Sequence, residues 1–196
     1  MATERNREET EGRLLKAIGE LIDTQGFENT GVNAVSEKSG LSKVLIYRYF
    51  GSMDGLLSAY IEKNDFWINF PESVPDKQNL PQFIKEMFAG QINQLKNNSA
   101  LRKLCRWELS SNNDIVKKLR KRREDAGIKI IRAVAEASGR SENEIAAVAT
   151  IISSSITYLF IFSDTCDEYN GLNLKNDNDI QSLRNEIFEM VDLFFS

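Results

Sequence analysis

Histidine is absent from the 196 residues. That absence removes the imidazole on which most zinc sites, Ser-His-Asp triads and Cys-His pairs depend. Cysteine is scarce: Cys105 and Cys166 lie far apart, form no CxxC pair, and read as reduced thiols rather than a disulfide or metal site. Only three prolines and eleven glycines interrupt the chain, and Val, Ile and Thr are scattered instead of alternating, which disfavours a β-rich fold. No apolar run is expected to reach the roughly 18 residues that span a bilayer. The polar, acidic opening from Met1 to Glu11 lacks the character of a signal or transit peptide, so the expectation is a cytoplasmic protein with no membrane partner. The formal charge of −4 argues against a coat protein that holds nucleic acid by charge alone, but leaves room for a locally basic docking face.

What is present is helical patterning. With 41% hydrophobic residues, the chain can fold as one globular unit or as a small module joined to a larger one. From Arg13 to Thr24, Leu14, Leu15, Ile18, Leu21 and Ile22 recur at helical spacing, and Gly26 is placed to stop that helix. Thr30 is suited to cap a second, short helix with Val32, Val35 and Ser36 on its inner side, ending at Gly40. Ser42 caps a third, running to Tyr49, and Phe50 turns back to the core. Three helices within about forty residues, the last two joined by a short Gly-containing turn, describe a helix-turn-helix. A fourth helix begins after Ser52 and is expected to reach about Asn69 before Pro71 and Pro75 break it.

The remainder reads as a larger helical bundle, giving an all-α protein of about nine helices. Pro81 opens a helix carrying Phe83, Ile84, Met87, Phe88 and Ile92. A short helix follows from Ala100 to Leu109, then a long one from Asp114 to Ala137. Ser141 and Glu144 form an S-x-x-E capping box for a helix to Phe162 that is apolar nearly all round. A polar, acidic loop spans Ser163 to Asn178, and a last amphipathic helix closes the chain. The division expected is a flexible arm at residues 1–8, a DNA-binding domain at 9–55 and a helical domain at 56–196.

The stretch from Arg13 to Leu57 resembles the TetR family of bacterial transcription regulators. The resemblance rests on Gly26-Phe27, Thr30, Val32, Val35, Gly40-Leu41-Ser42-Lys43, Ile46-Tyr47-Arg48-Tyr49-Phe50-Gly51-Ser52 and Leu56-Leu57, in order and at these spacings. It covers about a quarter of the chain. It implies a sequence-specific, double-stranded-DNA-binding regulator acting on a pseudo-palindromic operator, without cofactor, metal or enzymatic activity. The DNA-contacting set is then Thr30, Asn33, Ser42, Lys43, Val44, Leu45, Tyr47, Arg48 and Tyr49, with Tyr47 hydrogen-bonding a phosphate. The residues themselves agree: Lys38, Lys43 and Arg48 are the charged side chains between Lys38 and Met53, and none there is acidic. A helix N-terminus in that setting offers N–H groups to phosphate.

Five positions depart from the family pattern. Val44 and Leu45 replace small or hydroxyl residues and point to contact with thymine methyls. Met53 stands where a phosphate-binding lysine is common. Gly31 weakens the start of the second helix, and Gly55 leaves Ser52 without the reciprocal half of a capping box.

For the C-terminal part, the resemblance implies dimerisation through the last two helices and a pocket for a small apolar effector that releases a repressor from DNA. Ile152, Ile156, Leu159, Ile187, Met190, Val191 and Phe194 are the interface candidates. Trp67, Phe70, Phe83, Phe88, Trp107, Tyr158 and Phe162 are the pocket candidates, each also suited to ordinary core packing. The basic run from Lys117 to Arg123 is a solvated surface or an auxiliary contact for DNA or an acidic partner. The competing reading of the whole is a helical adaptor without specific DNA affinity. An enzyme working through carboxylates has less support, since no Asp/Glu pair lies on an otherwise apolar helix face.

Overall fold

The computed structural model describes residues 2–27, 30–64 and 73–196, with the side chains of residues 2–5 left aside. Among the described residues there are nine α-helices and one two-stranded hairpin. The chain divides into two compact units: Met1–Asp65 with Ser99–Lys118, and Phe66–Asn98 with Leu119–Ser196.

In the first unit, α1 spans Ala2–Gln25, α2 Val32–Ser39, α3 Lys43–Phe50, α4 Met53–Asn64 and α6 Ser99–Ser110. The polar opening expected to be a flexible arm is helical from Ala2 onward. Its charged residues are good helix formers, and an Arg7–Glu11 pair at 2.6 Å sits at the (i, i+4) spacing that supports a helix surface. The apolar stripe of α1 (Leu14, Ile18, Ile22) is fully buried, as are Val35, Ile46 and Leu56 of the next three helices. α1 packs on α2, α4 and α6, and α3 packs on α2 and α4. α6 therefore belongs with the N-terminal helices, an association that a linear cut of the chain near Leu56 leaves out. Phe27 stacks on Trp107 of α6 with ring centroids 4.9 Å apart. At the same seam, Asp23 accepts hydrogen bonds from the Ser99 hydroxyl and the Lys103 ammonium.

In the second unit, α5 spans Leu80–Asn97, α8 Glu142–Phe162 and α9 Asp177–Phe195, with most of α7, whose full extent is Asp114–Ser138. Leu80, Val134, Ala135 and Ile145 form one core cluster, with Phe83, Ile131 and Phe194 packed around it. The Ser141–Glu144 capping box forms in both directions. The acidic stretch read as loop contains a hairpin, β1 Glu168–Tyr169 paired antiparallel with β2 Leu172–Asn173. Asn170 and Gly171 both adopt positive φ, as a two-residue hairpin turn requires.

One sequence expectation fails at α8. The helix is long and apolar enough to cross a bilayer by length and composition, contrary to the absence of such a run expected above. Interspersed Ser and Thr broke the run on inspection without lowering the average enough. Only 22% of its apolar window is buried, and Ile145, Ile152, Ile156 and Phe160 are the residues that face the unit's core. Burial also bears on the expected interface: Ile152, Ile156, Ile187 and Val191 are buried within the chain itself. Leu159 and Phe194 are half-buried, and of the seven candidates only Met190 is exposed, at 56%. The apolar side chains that do face outward are Ile151, Tyr158, Met190 and Leu193. A helix apolar on every side does not announce which stripe the core will take.

The Asp23 seam carries a pH signature. The Ser99 hydroxyl and the Lys103 ammonium hold its carboxyl below the usual range, so its contribution is present above the unfolded value and is lost as pH falls through the folded one. Urea midpoints measured from about pH 7 down to about pH 3 should show wild type above Asp23→Asn at neutrality, with the gap closing on acidification. A gap independent of pH would contradict this.

Candidate nucleic-acid interface

α3 is set by its two ends. Ser42, in extended conformation, caps α3, its Oγ accepting from the Val44 N–H at 3.4 Å. The preceding turn pivots on Gly40 at φ 66°, a left-handed conformation open to glycine. Two further contacts fix this turn: the Ser36 hydroxyl donates to the Leu41 carbonyl at 2.6 Å, and the Arg13 guanidinium of α1 donates to the Ser39 carbonyl at 2.8 Å. Arg13 opens the first periodic segment of the sequence, beside its apolar stripe. Its partner lies 26 residues away, and no local pattern signals it.

At the other end, the Ser52 hydroxyl accepts from the Gly55 N–H at 3.0 Å. Gly55 does more than leave a capping box incomplete. A Cβ there would come within 1.9 Å of the Phe50 carbonyl oxygen, so the glycine permits the close approach of α4 to the last turn of α3.

With Ile46 fully buried, the opposite side of α3 faces outward. Lys43, Val44, Tyr47 and Arg48 are exposed there, Val44 at 68% and Tyr47 at 54%. Leu45, Tyr49 and Phe50 are half-buried on the flanks. The structure thus separates the two apolar residues assigned together to the tip: Val44 projects, while Leu45 leans toward the core side. Tyr49 is flanked by two guanidinium groups, Arg48 at 5.8 Å and Arg7 of α1 at 5.5 Å from its ring centroid. Arg7 was missed because it sits in the segment read as an arm.

Of the three cations counted around this motif, Lys38 is engaged by Glu20 of α1 at 3.1 Å. Among the described residues neither Lys43 nor Arg48 makes an ion pair, and Arg48 lies beside the Tyr49 ring. The first turn of α3 carries no acidic side chain. The outward face is therefore a capped helix start, two cations with no carboxylate partner among the described residues, a phenol and a valine. Such a surface can donate hydrogen bonds to phosphate and present an apolar contact to a base edge. Asn33 is exposed on α2. Thr30 departs from its expected role: Gly31 is the N-cap of α2, without a side-chain hydrogen bond, and the Thr30 hydroxyl donates instead to the Phe27 carbonyl at 2.9 Å.

The second unit holds an apolar cavity of about 290 Å³ between α5, α7, α8 and α9. Among the expected pocket aromatics, Phe88 lines it. Phe83 packs in the neighbouring core, and Trp107 is stacked on Phe27 in the first unit. Tyr158 and Phe162 stack on each other and meet Tyr169 of β1 edge-on. Trp67 and Phe70 lie outside the described residues. The cavity is lined by aliphatic residues together with Phe88, Phe194 and Phe195.

Residues 14–60 match the family model for bacterial regulatory proteins of the tetR family. Among curated proteins, no sequence match is found. Solved structures resemble the chain over nearly its full length. HlyIIR, a hemolysin II transcriptional regulator, is 17% identical with a TM-score of 0.60, covering 92% of this chain and 97% of its own. NalD of Pseudomonas aeruginosa, the secondary repressor of the MexAB-OprM multidrug efflux pump, is 12% identical with a TM-score of 0.63, covering 94% and 96%. GusR of Salmonella enterica is 17% identical with a TM-score of 0.62, covering 93% and 95%. At these identities the likeness is one of fold.

The α3–α4 junction gives a direct test. Gly55→Ala should lower stability by about 1–3 kcal/mol in urea unfolding, since the new methyl meets backbone rather than a movable side chain. An unchanged midpoint would mean that α4 shifts freely against α3.

Proposed function

We propose that this chain, whose residues 14–60 match the family model for bacterial regulatory proteins of the tetR family, is a DNA-binding transcription regulator that acts in the cytoplasm as a homodimeric repressor released by a small apolar ligand. The observation that carries the DNA-binding part is the outward stripe of α3. Lys43, Tyr47 and Arg48 position the protein on the phosphate backbone, and Val44 reads a thymine methyl in the major groove. Thr30, Asn33, Ser42, Leu45 and Tyr49 complete the contact region, with Thr30 and Tyr49 acting more through local geometry than by reaching bases.

Dimerisation is supported by the apolar side chains that α8 and α9 leave outside the protomer core: Ile151, Tyr158, Met190 and Leu193. Pairing them across a two-fold axis removes that surface from water and sets two recognition helices one DNA turn, or a multiple of it, apart. An operator with two half-sites follows from the same symmetry. Ligand release is supported by the cavity of the second unit, whose size lies near the lower end of the ~300–1,000 Å³ usual for ligand pockets.

Gel shifts against the gene's own upstream region, at two salt concentrations, test the reading. Specific, salt-sensitive binding is expected; its absence at every upstream palindrome would leave the helical adaptor as the better account. Tyr47→Phe should weaken binding to all sequences roughly tenfold, the loss of one hydrogen bond to a charged group. Val44→Ser should instead change preference at one or two base pairs, and equal losses on all operator variants would contradict its role. For the dimer, sedimentation of Leu193→Glu should give a monomer with operator affinity reduced. A dimer that survives both this change and Ile151→Glu would place the interface elsewhere.

A further inference from the structure

The cavity has a chemical polarity that narrows its ligand. Its walls are aliphatic and aromatic, with Ile84, Phe88, Ile131 and Phe194 representative. Among the described residues one charged residue lines it, and that one is acidic: Glu124 of α7. Glu124 is exposed and forms no ion pair among the described residues. Its neighbour Asp125 is paired with Lys121 at 3.2 Å. No lysine or arginine lines the cavity. The uncharged polar groups are the hydroxyls of Thr150 and Ser153. Ser153 already accepts through its carbonyl and its Oγ from the amide of Gln91, at 2.9 and 3.3 Å. That amide is nearly fully buried, and its Oε1 has no hydrogen-bond partner.

α7 also keeps a glycine in its interior where it meets the cavity. A Cβ at Gly127 would meet nothing within 4 Å. Alanine would fit there and strengthen the helix, so packing does not demand the glycine, and its absent side chain enlarges the space.

From these observations we propose that the cavity is an effector site for an apolar amine, with the hydrocarbon body among α5, α7, α8 and α9 and the ammonium at the Glu124 carboxylate. This deepens the ligand-release reading above and rests on it. A carboxylate of the same shape would be desolvated with no cation to meet it and would face Glu124 as a like charge. A neutral alcohol keeps the apolar contacts and loses the charge pairing, so it ranks between the two.

The test uses the full chain and three probes on one scaffold: 4-phenylbutylamine, 4-phenylbutan-1-ol and 4-phenylbutanoate at neutral pH. Titration calorimetry and thermal shift should rank them amine, alcohol, carboxylate, with the last giving no shift. Glu124→Gln should weaken the amine roughly fivefold, as expected for a solvent-accessible ion pair, and leave the alcohol unchanged. Gly127→Leu should fill the cavity and abolish binding of both, while the unliganded protein melts no lower than wild type. A carboxylate that binds as well as the amine, or an amine preference that survives Glu124→Gln, overturns the proposal; so does the failure of all three probes. Operator binding, measured without ligand, separates the two levels. Intact gel shifts with no probe binding remove the effector site alone, and Glu124-dependent amine binding without gel shifts removes the regulator reading alone.

Discussion

Ile46 has no exposed surface, and the burial of that one side chain decides which way the recognition helix faces. α3 is eight residues long, too short to be stable in isolation, so its orientation comes from packing against α2 and α4. Those two helices in turn close over the buried stripe of α1. Once Ile46 points inward, helical periodicity puts Lys43, Val44, Tyr47 and Arg48 on the other side. The Ser42 cap, the Gly40 pivot and the Arg13 hydrogen bond to Ser39 then fix where the helix begins. The glycine at position 55 fixes how closely α4 follows its end.

The second unit distributes its apolar surface among three uses. Ile145, Ile152, Ile156 and Phe160 of α8 go to the protomer core. Ile151 and Tyr158 stay outside, and Val148 and Ala149 face the cavity. The same helix thus serves packing, an outward surface and a ligand-sized space, each on its own stripe. That division explains why it is apolar enough to resemble a membrane span by length and composition.

Much of the first unit was legible in the sequence because its signals are local. Caps, stops and the three- and four-residue spacing of Leu14, Ile18, Leu21 and Ile22 act within one or two turns, and the structure places α2, α3 and the Ser141 cap close to where those signals put them. Misreadings cluster where the folded backbone, not the residue pattern, decides the partner. Thr30 bonds back to Phe27, three residues earlier, instead of capping α2, and Arg7 finds Tyr49 across more than forty residues. Gly55 read as a missing acid because its closeness to the Phe50 carbonyl is a property of the folded turn. Several of the aromatics expected in a pocket are engaged elsewhere. Trp107 has a partner in Phe27, and Tyr158 and Phe162 have one in Tyr169, and none of these pairings has a fixed spacing.

By itself the sequence determined the helical class, the helix-turn-helix and its register, since periodicity, capping hydroxyls and turn glycines act on neighbouring residues. It also set the chemistry available to the protein, with no imidazole and a basic, acid-free stretch around α3. The tertiary structure alone decided which of Val44 and Leu45 projects, which stripe of α8 is left outside the core, and that a lone carboxylate meets an apolar cavity. Those outcomes depend on which surfaces are consumed by packing between segments far apart in the chain, and a one-dimensional pattern does not carry that competition.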